Sequence, residues 1–311
     1  MPAESRDLPA APRGRPFFVL GPTGVGKSEI AAGLAARIGG EVIGADAYQV
    51  YSGLDLLSAK PSAELRARVP HHLVGEVPLS ARFDVAQWLA RARECIAQVA
   101  ARGRVPIVCG GTGLYIRALT RGLSDLPGAD AELRRELEAQ PLQALVARLR
   151  ELDPATTVDV MNSRRVVRAL EVCILTGRPF SGFRTEWESG APVRGVILGR
   201  PREALYRRID ARVAAMFDAG VVGEVAAAGE IGPTAAQMLG LREIRALLAG
   251  SISREECIAA IQRATRNYAR RQLTWFRKEP GFVPVEIPEG SEDSAVLLRL
   301  VALASEGSKA A

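Results

Sequence analysis

Apolar residues along the chain form two patterns, short continuous runs and longer stretches with helical spacing. Short runs of the kind found in buried strands occupy 17–20, 41–45, 105–109 and 193–198. Apolar residues recur every three or four positions over 84–101, 203–217 and 258–278, which predicts amphipathic helices. Strands that alternate with helices predict an α/β fold, with a parallel sheet flanked by helices.

One part of the chain shows helical patterns only. Amphipathic pieces at 131–138, 142–152 and 164–175 lie between residues 124 and 187, where we find no strand pattern. We therefore predict an all-helical insertion at 124–187, within a core formed by 16–123 and 188–311. Residues 1–15 are rich in proline, alanine and arginine and are predicted to be a disordered tail.

The first predicted strand leads directly into a glycine-rich loop and then a helical pattern. The loop has the GxxxxGK[S/T] form and consists of Gly21, Pro22, Thr23, Gly24, Val25, Gly26, Lys27 and Ser28. Between a strand and a helix, such a loop predicts a phosphate site, since its backbone N–H groups and the helix N-terminus attract anions. Lys27 can reach the distal phosphate and Ser28 can ligate Mg²⁺, which we expect as the cofactor. The loop motif does not identify which phosphorylated compound binds.

Charge adds a second candidate binding feature. The chain of 311 residues has a net charge of +6, and the segment 258–278 contains no acidic residue. Arg263, Arg266 and Arg270 fall with Arg277 on one stripe of the predicted helix. This stripe predicts contact with phosphate groups or RNA, although a solvated helix face is the commoner structure for a run of charges.

Other compositional features exclude some classes of protein. The four cysteines lie far apart without metal-ligand spacing, which argues against a disulfide framework and a zinc site. No segment approaches the apolar length of a membrane helix, and the N-terminal segment lacks the apolar middle of a signal peptide. We therefore expect a cytoplasmic protein that does not bind membranes.

Several motifs together resemble the tRNA dimethylallyltransferases. The motifs are GPTGVGKS at 21–28, ADAYQVY at 45–51, AKP at 59–61, PHHL at 70–73, GGTGLY at 110–115, RRVVRALEV at 164–172 and ATRNYARRQLTWFR at 264–277. The resemblance spans roughly residues 16 to 280 and implies a P-loop core related to nucleotide kinases. It also implies a monomer, and a helical insertion that embraces the anticodon stem of tRNA. The implied reaction moves a dimethylallyl group from dimethylallyl diphosphate to N6 of adenosine 37, in tRNAs that read codons beginning with U.

The resemblance also implies roles for individual residues. Asp46 matches the general base that accepts the N6 proton, and it is also expected to contact the tRNA. Thr112 matches a threonine whose hydroxyl contacts the diphosphate, and Lys27 binds the diphosphate together with the phosphate loop. The expected tRNA contacts are Gln49, Tyr51, Arg165, Arg168, Arg263, Arg266 and Arg270. Alternatively, Tyr51 is a core residue, and Arg165 and Arg168 of the insertion are ordinary charged residues on the outer face of a helix.

Three other functions use some of the same features. A nucleoside or small-molecule kinase would bind ATP at the same loop, but it usually carries a carboxylate after the third strand, where this chain has Gly110 and Gly111. A prenyltransferase that acts on free adenine nucleotides would not need the helical insertion. An RNA-binding protein without catalysis would not need Lys27, Asp46 and Thr112.

Overall fold

A parallel sheet of six strands is the centre of the fold, in the order β3-β2-β4-β1-β5-β6. The strands are β1 (Phe17–Leu20), β2 (Gly40–Ala45), β3 (His71–His72), β4 (Val105–Gly110), β5 (Arg194–Gly199) and β6 (Val283–Glu286). Every neighbouring pair is parallel. The predicted α/β class, a parallel sheet flanked by helices, is therefore confirmed, and the four predicted strands are β1, β2, β4 and β5.

The computed structural model describes residues 15–123, 126–183, 193–290 and 293–305. Almost all of the predicted disordered tail at 1–15 lies outside these ranges, as do the predicted boundary residues 124, 187 and 188. The chain divides into two compact units, Met1–Thr120 with Ala191–Ala311, and Arg121–Gly190. We call them the sheet unit and the helical unit.

The described ranges contain helices in both units. They are α1 (Lys27–Ile38), α2 (Ala63–Arg68), α3 (Val85–Ala101), α4 (Gly113–Arg121), α5 (Ala131–Glu138), α6 (Leu142–Leu152), α7 (Ser163–Thr176), α8 (Arg202–Asp218), α9 (Val221–Ala226), α10 (Leu241–Leu248), α11 (Arg254–Phe276) and α12 (Asp293–Ser305). Short 3₁₀ turns occur at Phe180–Phe183 and Ala235–Gln237. Among the helices of the described ranges, none combines the length and apolar character that a membrane span needs.

Side chains of β1 alternate between the two faces of the sheet, as the pleat requires. Phe17 and Val19 pack in one core cluster with α1, whereas Phe18 and Leu20 pack in another with Trp88 of α3. All four strand residues are buried. The continuous apolar run is thus explained by helices that cover both faces.

Helix α11 crosses from one core cluster to the next. Its 23 residues begin at a capping box in which Ser253 and Glu256 satisfy each other's backbone N–H groups. Ile261 packs with α8, α9 and α10, Ala269 packs with the α1 cluster, and Phe276 packs with the α3 cluster. The predicted helix over 258–278 is therefore confirmed except for its last two residues, and it packs against several other elements of the sheet unit.

The described part of the helical unit is built around α5, α6 and α7. Two of these helices have the predicted bounds, and α7 extends the prediction by one residue at each end. The Asn162 side chain accepts a hydrogen bond from Arg165 N, and Gly177 ends α7 with a φ of 65°. The apolar faces meet at Leu137, Leu149 and Leu170.

A buried carboxylate holds the helical unit together. Glu171 has 0% of its surface exposed and accepts hydrogen bonds from the Asp130 N–H at 2.9 Å and from Arg168 Nη1 at 2.6 Å. Arg134 is its third donor. Because a buried charge is costly unless it is paired and hydrogen-bonded, Glu171 and its arginines stabilise the unit only as a set.

We expect Glu171→Ala to lower the free energy of unfolding by about 3 kcal/mol, since breaking a buried ion pair leaves the partner charges uncompensated. Urea denaturation followed by circular dichroism measures the change. Glu138→Ala is the matched control, because Glu138 is an exposed residue of α5. Equal losses in the two variants would contradict the role given to Glu171.

Candidate active site

The register of the sheet brings three loops together at one edge. Leu20 and Ala45 both pair with Gly110, the last residue of β4. The phosphate loop after β1, Asp46 after β2 and the segment after β4 therefore leave the sheet side by side. Ligands of open α/β sheets bind at this carboxyl edge.

The lysine of the phosphate loop forms a hydrogen bond within the loop. Lys27 Nζ donates to the carbonyl of Pro22 at 2.8 Å, and α1 begins directly after Gly26, whose φ is 101°. A side chain at Gly21 would place its Cβ 2.6 Å from Leu198 O, so only glycine fits there. Of the predicted loop residues, Thr23, Gly24, Gly26, Lys27 and Ser28 line a cavity, whereas Gly21, Pro22 and Val25 are buried behind it.

Three arginines that the motif did not predict donate hydrogen bonds to the phosphate loop. Arg200 Nε donates to Val25 O at 2.9 Å and Arg208 Nε donates to Gly24 O at 3.0 Å. Arg212 Nη2 donates to the Thr23 hydroxyl at 2.8 Å. Their contacts span 175 to 189 residues of sequence, and the only local signal is the spacing of four between Arg208 and Arg212, which puts both on one face of α8.

Burial sets the charge properties of this end of the site. It lowers the pKa of the Lys27 ammonium, and the nearby negative charge of Asp46 offsets only part of this effect. Burial likewise lowers the pKa of Arg212, again opposed by Asp46. The Cys109 thiol, which also lines the cavity, has its pKa raised by burial to about 12. This thiol is therefore protonated at neutral pH and is not a nucleophile.

Asp46 is fixed in place by the turn that follows it. Its Oδ1 accepts hydrogen bonds from Tyr48 N at 2.9 Å and Gln49 N at 3.2 Å, whereas Oδ2 accepts none from the described part of the chain. Thr112 Oγ1 accepts from Ala47 N at 3.0 Å, so it supports the same turn. Unlike Asp46, Thr112 is not among the residues of the cavity wall, and its predicted contact with diphosphate stays a prediction.

The cavity beside these groups has a volume of about 940 Å³, and its lining includes two chemically different sets of residues. The polar set includes residues of the phosphate loop, Arg208, Arg212 and Asp46. The apolar set includes Ala215, Met216, Ala219, Met238, Leu239 and Ile261. Such a cavity fits a ligand with a strongly charged end and an apolar end.

Two of the predicted tRNA contacts lie close to Asp46 in sequence but differ in placement. Gln49 lines the cavity, and its Nε2 donates to Ala59 O at 2.8 Å. Tyr51 is 0% exposed, lies in the core beside Phe83 and does not line the cavity. The structure therefore corrects the prediction for Tyr51, since a fully buried ring offers no face to a base.

The predicted arginine contacts also divide into two groups. Arg165, Arg263 and Arg270 are exposed, as an RNA contact requires. Arg266 forms an ion pair with Asp210, and Arg168 donates to Glu171 and to Pro127 O. These last two guanidinium groups already have partners within the protein, and their contact with RNA stays a prediction.

The donor set near the loop fits Mg²⁺ bound jointly with a phosphorylated ligand. Among the described residues, no group of three or more His, Cys, Asp or Glu side chains could hold a metal ion by itself. Ser28 and Asp46 nevertheless line the same cavity, and hydroxyl and carboxylate oxygens are hard ligands of the kind that Mg²⁺ uses together with substrate phosphates.

Comparisons with known proteins agree on one family. The family model for IPP transferase matches residues 49–279. The tRNA dimethylallyltransferase of Geobacter metallireducens is 45% identical over 293 residues, which cover 90% of this chain and 94% of that protein. That of Anaeromyxobacter dehalogenans is 45% identical over 289 residues, covering 89% and 97%.

Solved structures give the same result. A tRNA isopentenylpyrophosphate transferase from Bacillus halodurans aligns with a TM-score of 0.69 and 33% identity, over 96% of this chain and 99% of that one. A eukaryotic dimethylallyltransferase described as acting on tRNA aligns with a TM-score of 0.80 and 26% identity, over 94% of this chain and 79% of that one. The chain therefore belongs to the IPP transferase family, and the relatives compared above are named tRNA dimethylallyltransferases.

Proposed function

We propose that this protein transfers a dimethylallyl group from dimethylallyl diphosphate to N6 of adenosine 37, in tRNAs that read codons beginning with U. The observation that carries the proposal is that one cavity is lined both by the phosphate loop with two arginines and by a group of apolar side chains. A prenyl diphosphate has both kinds of surface, a polyanionic head and a hydrocarbon tail. Family membership supports the same donor and acceptor.

The reaction breaks the bond between C1 of the donor and the diphosphate oxygen, which keeps the electron pair. The N6 lone pair of adenine forms the new bond to C1, and N6 then loses a proton. Asp46 is suited to accept this proton because Oδ1 is held by the turn, whereas Oδ2 accepts no hydrogen bond from the described part of the chain. A carboxylate held in this way is a positioned general base.

The leaving diphosphate is stabilised by protein groups whose positions are fixed before the substrate binds. The N-terminus of α1 presents backbone N–H groups at the phosphate loop, and Lys27 and Arg212 add positive charge at the cavity wall. Preorganised charge of this kind lowers the barrier, because it needs no rearrangement during the reaction. Mg²⁺, held by Ser28, would neutralise further negative charge on the diphosphate.

Recognition of the tRNA is assigned to the exposed cations. Arg263 and Arg270 lie on the exposed side of α11, and Arg271 of the same helix lines the cavity. Arg165 supplies an exposed cation on the helical unit. Gln49 at the cavity wall is the proposed hydrogen-bonding partner of the adenine, since a base taken out of its stack is read through hydrogen bonds and stacking.

Transfer of radiolabelled dimethylallyl from its diphosphate to unmodified tRNA tests the function directly. We expect label in tRNA with adenosine 37, none in the same tRNA with guanosine at that position, and none in AMP. Label in AMP alone would favour prenylation of free nucleotides. Consumption of ATP without transfer of the prenyl group would favour the kinase.

Asp46→Asn should lower kcat by roughly 100-fold or more, because it removes the proton acceptor. The amide oxygen can still accept the hydrogen bonds that shape the turn, so tRNA affinity and thermal stability should stay near those of the wild type. Asp84→Asn is the matched control, since Asp84 also accepts a backbone N–H, that of Gln87 at 3.0 Å, but lies outside the cavity wall. Wild-type transfer by Asp46→Asn would show that another group takes the proton.

Affinity for tRNA should fall steeply with salt concentration if the exposed arginines of α11 contact phosphates. Replacing Arg263 and Arg270 together by glutamine should reduce the slope of log K against log salt by about 1.5, since each lost contact removes roughly 0.7 to 0.9. The control replaces the exposed Arg37 and Arg93 of α1 and α3 and should leave the slope unchanged. Equal slopes for the two double variants would place the RNA elsewhere.

A further inference from the structure

A buried glutamine on α11 connects the phosphate loop with the segment that follows β4. The Thr23 N–H donates to Gln272 Oε1 at 2.8 Å, and Gln272 Nε2 donates to Gly111 O at 2.9 Å. Gln272 is only 6% exposed. One side chain therefore joins the phosphate loop after β1 to the segment after β4.

The amide is the chemical group that this position requires. The backbone presents a donor on one side and an acceptor on the other, and a glutamine side chain carries one of each at a fixed separation. Glutamate could accept but, when ionised, could not donate, and methionine could do neither well. Because buried polar groups without partners are costly, a change here leaves Thr23 N–H and Gly111 O unsatisfied.

Close packing adds to the connection. A Cβ at Gly111 would lie 2.3 Å from Gln272 Nε2, and a Cβ at Gly113 would lie 2.4 Å from Trp275 Cδ2. The segment after β4 therefore uses glycine where α11 comes closest. The helix lies against this loop, and its position depends on both glycines.

The connection continues to the proposed base. Thr112 follows Gly111 directly, and its Oγ1 accepts from Ala47 N at 3.0 Å, next to Asp46. Hydrogen bonds thus lead from the phosphate loop through Gln272 and the Gly111–Thr112 segment to the turn that holds Asp46. The groups that bind the leaving diphosphate and the group that accepts the proton are linked through one amide.

We infer that Gln272 is a positioning residue that sets the distance between the diphosphate site and Asp46. The inference rests on the proposed function for its kinetic consequence, but the hydrogen-bonded bridge itself does not. Because a displacement of about 1 Å can reduce a rate by about 100-fold, loss of the bridge should affect transfer more than it affects folding.

The test compares Gln272→Met and Gln272→Glu with Gln262→Met and Gln262→Glu. Gln262 is a matched control, since it lies on the same helix, donates to Asp210 O at 3.1 Å and does not line the cavity. We expect kcat for dimethylallyl transfer to fall roughly 30- to 100-fold in Gln272→Met, with tRNA affinity close to that of the wild type. The Gln262 variants should retain wild-type kcat.

The pH profile separates positioning from a general structural role. When the introduced carboxyl of Gln272→Glu is protonated, it can accept from Thr23 N and donate to Gly111 O as the amide does. The activity of this variant relative to the wild type should therefore rise as pH falls, by up to about tenfold per pH unit above the carboxyl pKa. The same ratio for Gln272→Met should not change with pH. Flat ratios for both variants, or wild-type kcat in both, would overturn the inference.

Hydrogen exchange of the free protein tests the bridge independently of the reaction. In Gln272→Met, amides of the phosphate loop and of the segment after β4 should both exchange faster than in Gln262→Met. If the wild type transfers no prenyl group, the proposed function fails while a joint increase in exchange still supports the bridge. Unchanged exchange in both loops would overturn the bridge even if transfer is observed.

Discussion

Backbone hydrogen bonding at the phosphate loop constrains much of the sheet unit. A phosphate-binding loop presents N–H groups to its ligand, so its carbonyl groups need donors from other elements. Arg200, directly after β5, and Arg208 on α8 supply two of them, and Lys27 supplies a third within the loop. Gln272 of α11 takes up the N–H of Thr23. The positions of α8 and α11 are therefore tied to the loop by hydrogen bonds as well as by apolar packing.

The elements that were predicted from sequence are those whose apolar pattern is strong. β1, β2, β4 and β5 are buried runs, and α3, α8 and α11 have a clear helical period. β3 consists of two histidines, so it has no apolar signal, and β6 contains a proline in a largely exposed edge strand. Both strands form because a neighbouring strand offers partners, which a local pattern does not reveal.

The candidate site was predictable to the extent that its chemistry is carried by contiguous residues. The phosphate loop and Asp46 were found because each stands directly after a predicted strand, and the register of β1, β2 and β4 brings them together. Arg212 and Gln272 were not assigned to the site, because their partners lie 189 and 249 residues away. Helical spacing correctly separates the exposed from the buried side of α11, but it does not show that Arg266 is paired with Asp210.

Positive charge at the phosphate-loop end of the cavity lowers the stability of the folded chain. Burial lowers the pKa of Lys27 and of Arg212, because the charged forms lose hydration. A group with a lowered pKa binds fewer protons in the folded state than in the unfolded state. The free energy of unfolding therefore rises with pH between the folded-state and unfolded-state pKa values, and the whole loss of stability is present below the folded-state pKa. A diphosphate would supply the opposite charge and remove much of this cost. Hydrogen bonds that fix the loop are therefore needed, because they keep the cations in a preorganised arrangement that burial of their charge disfavours.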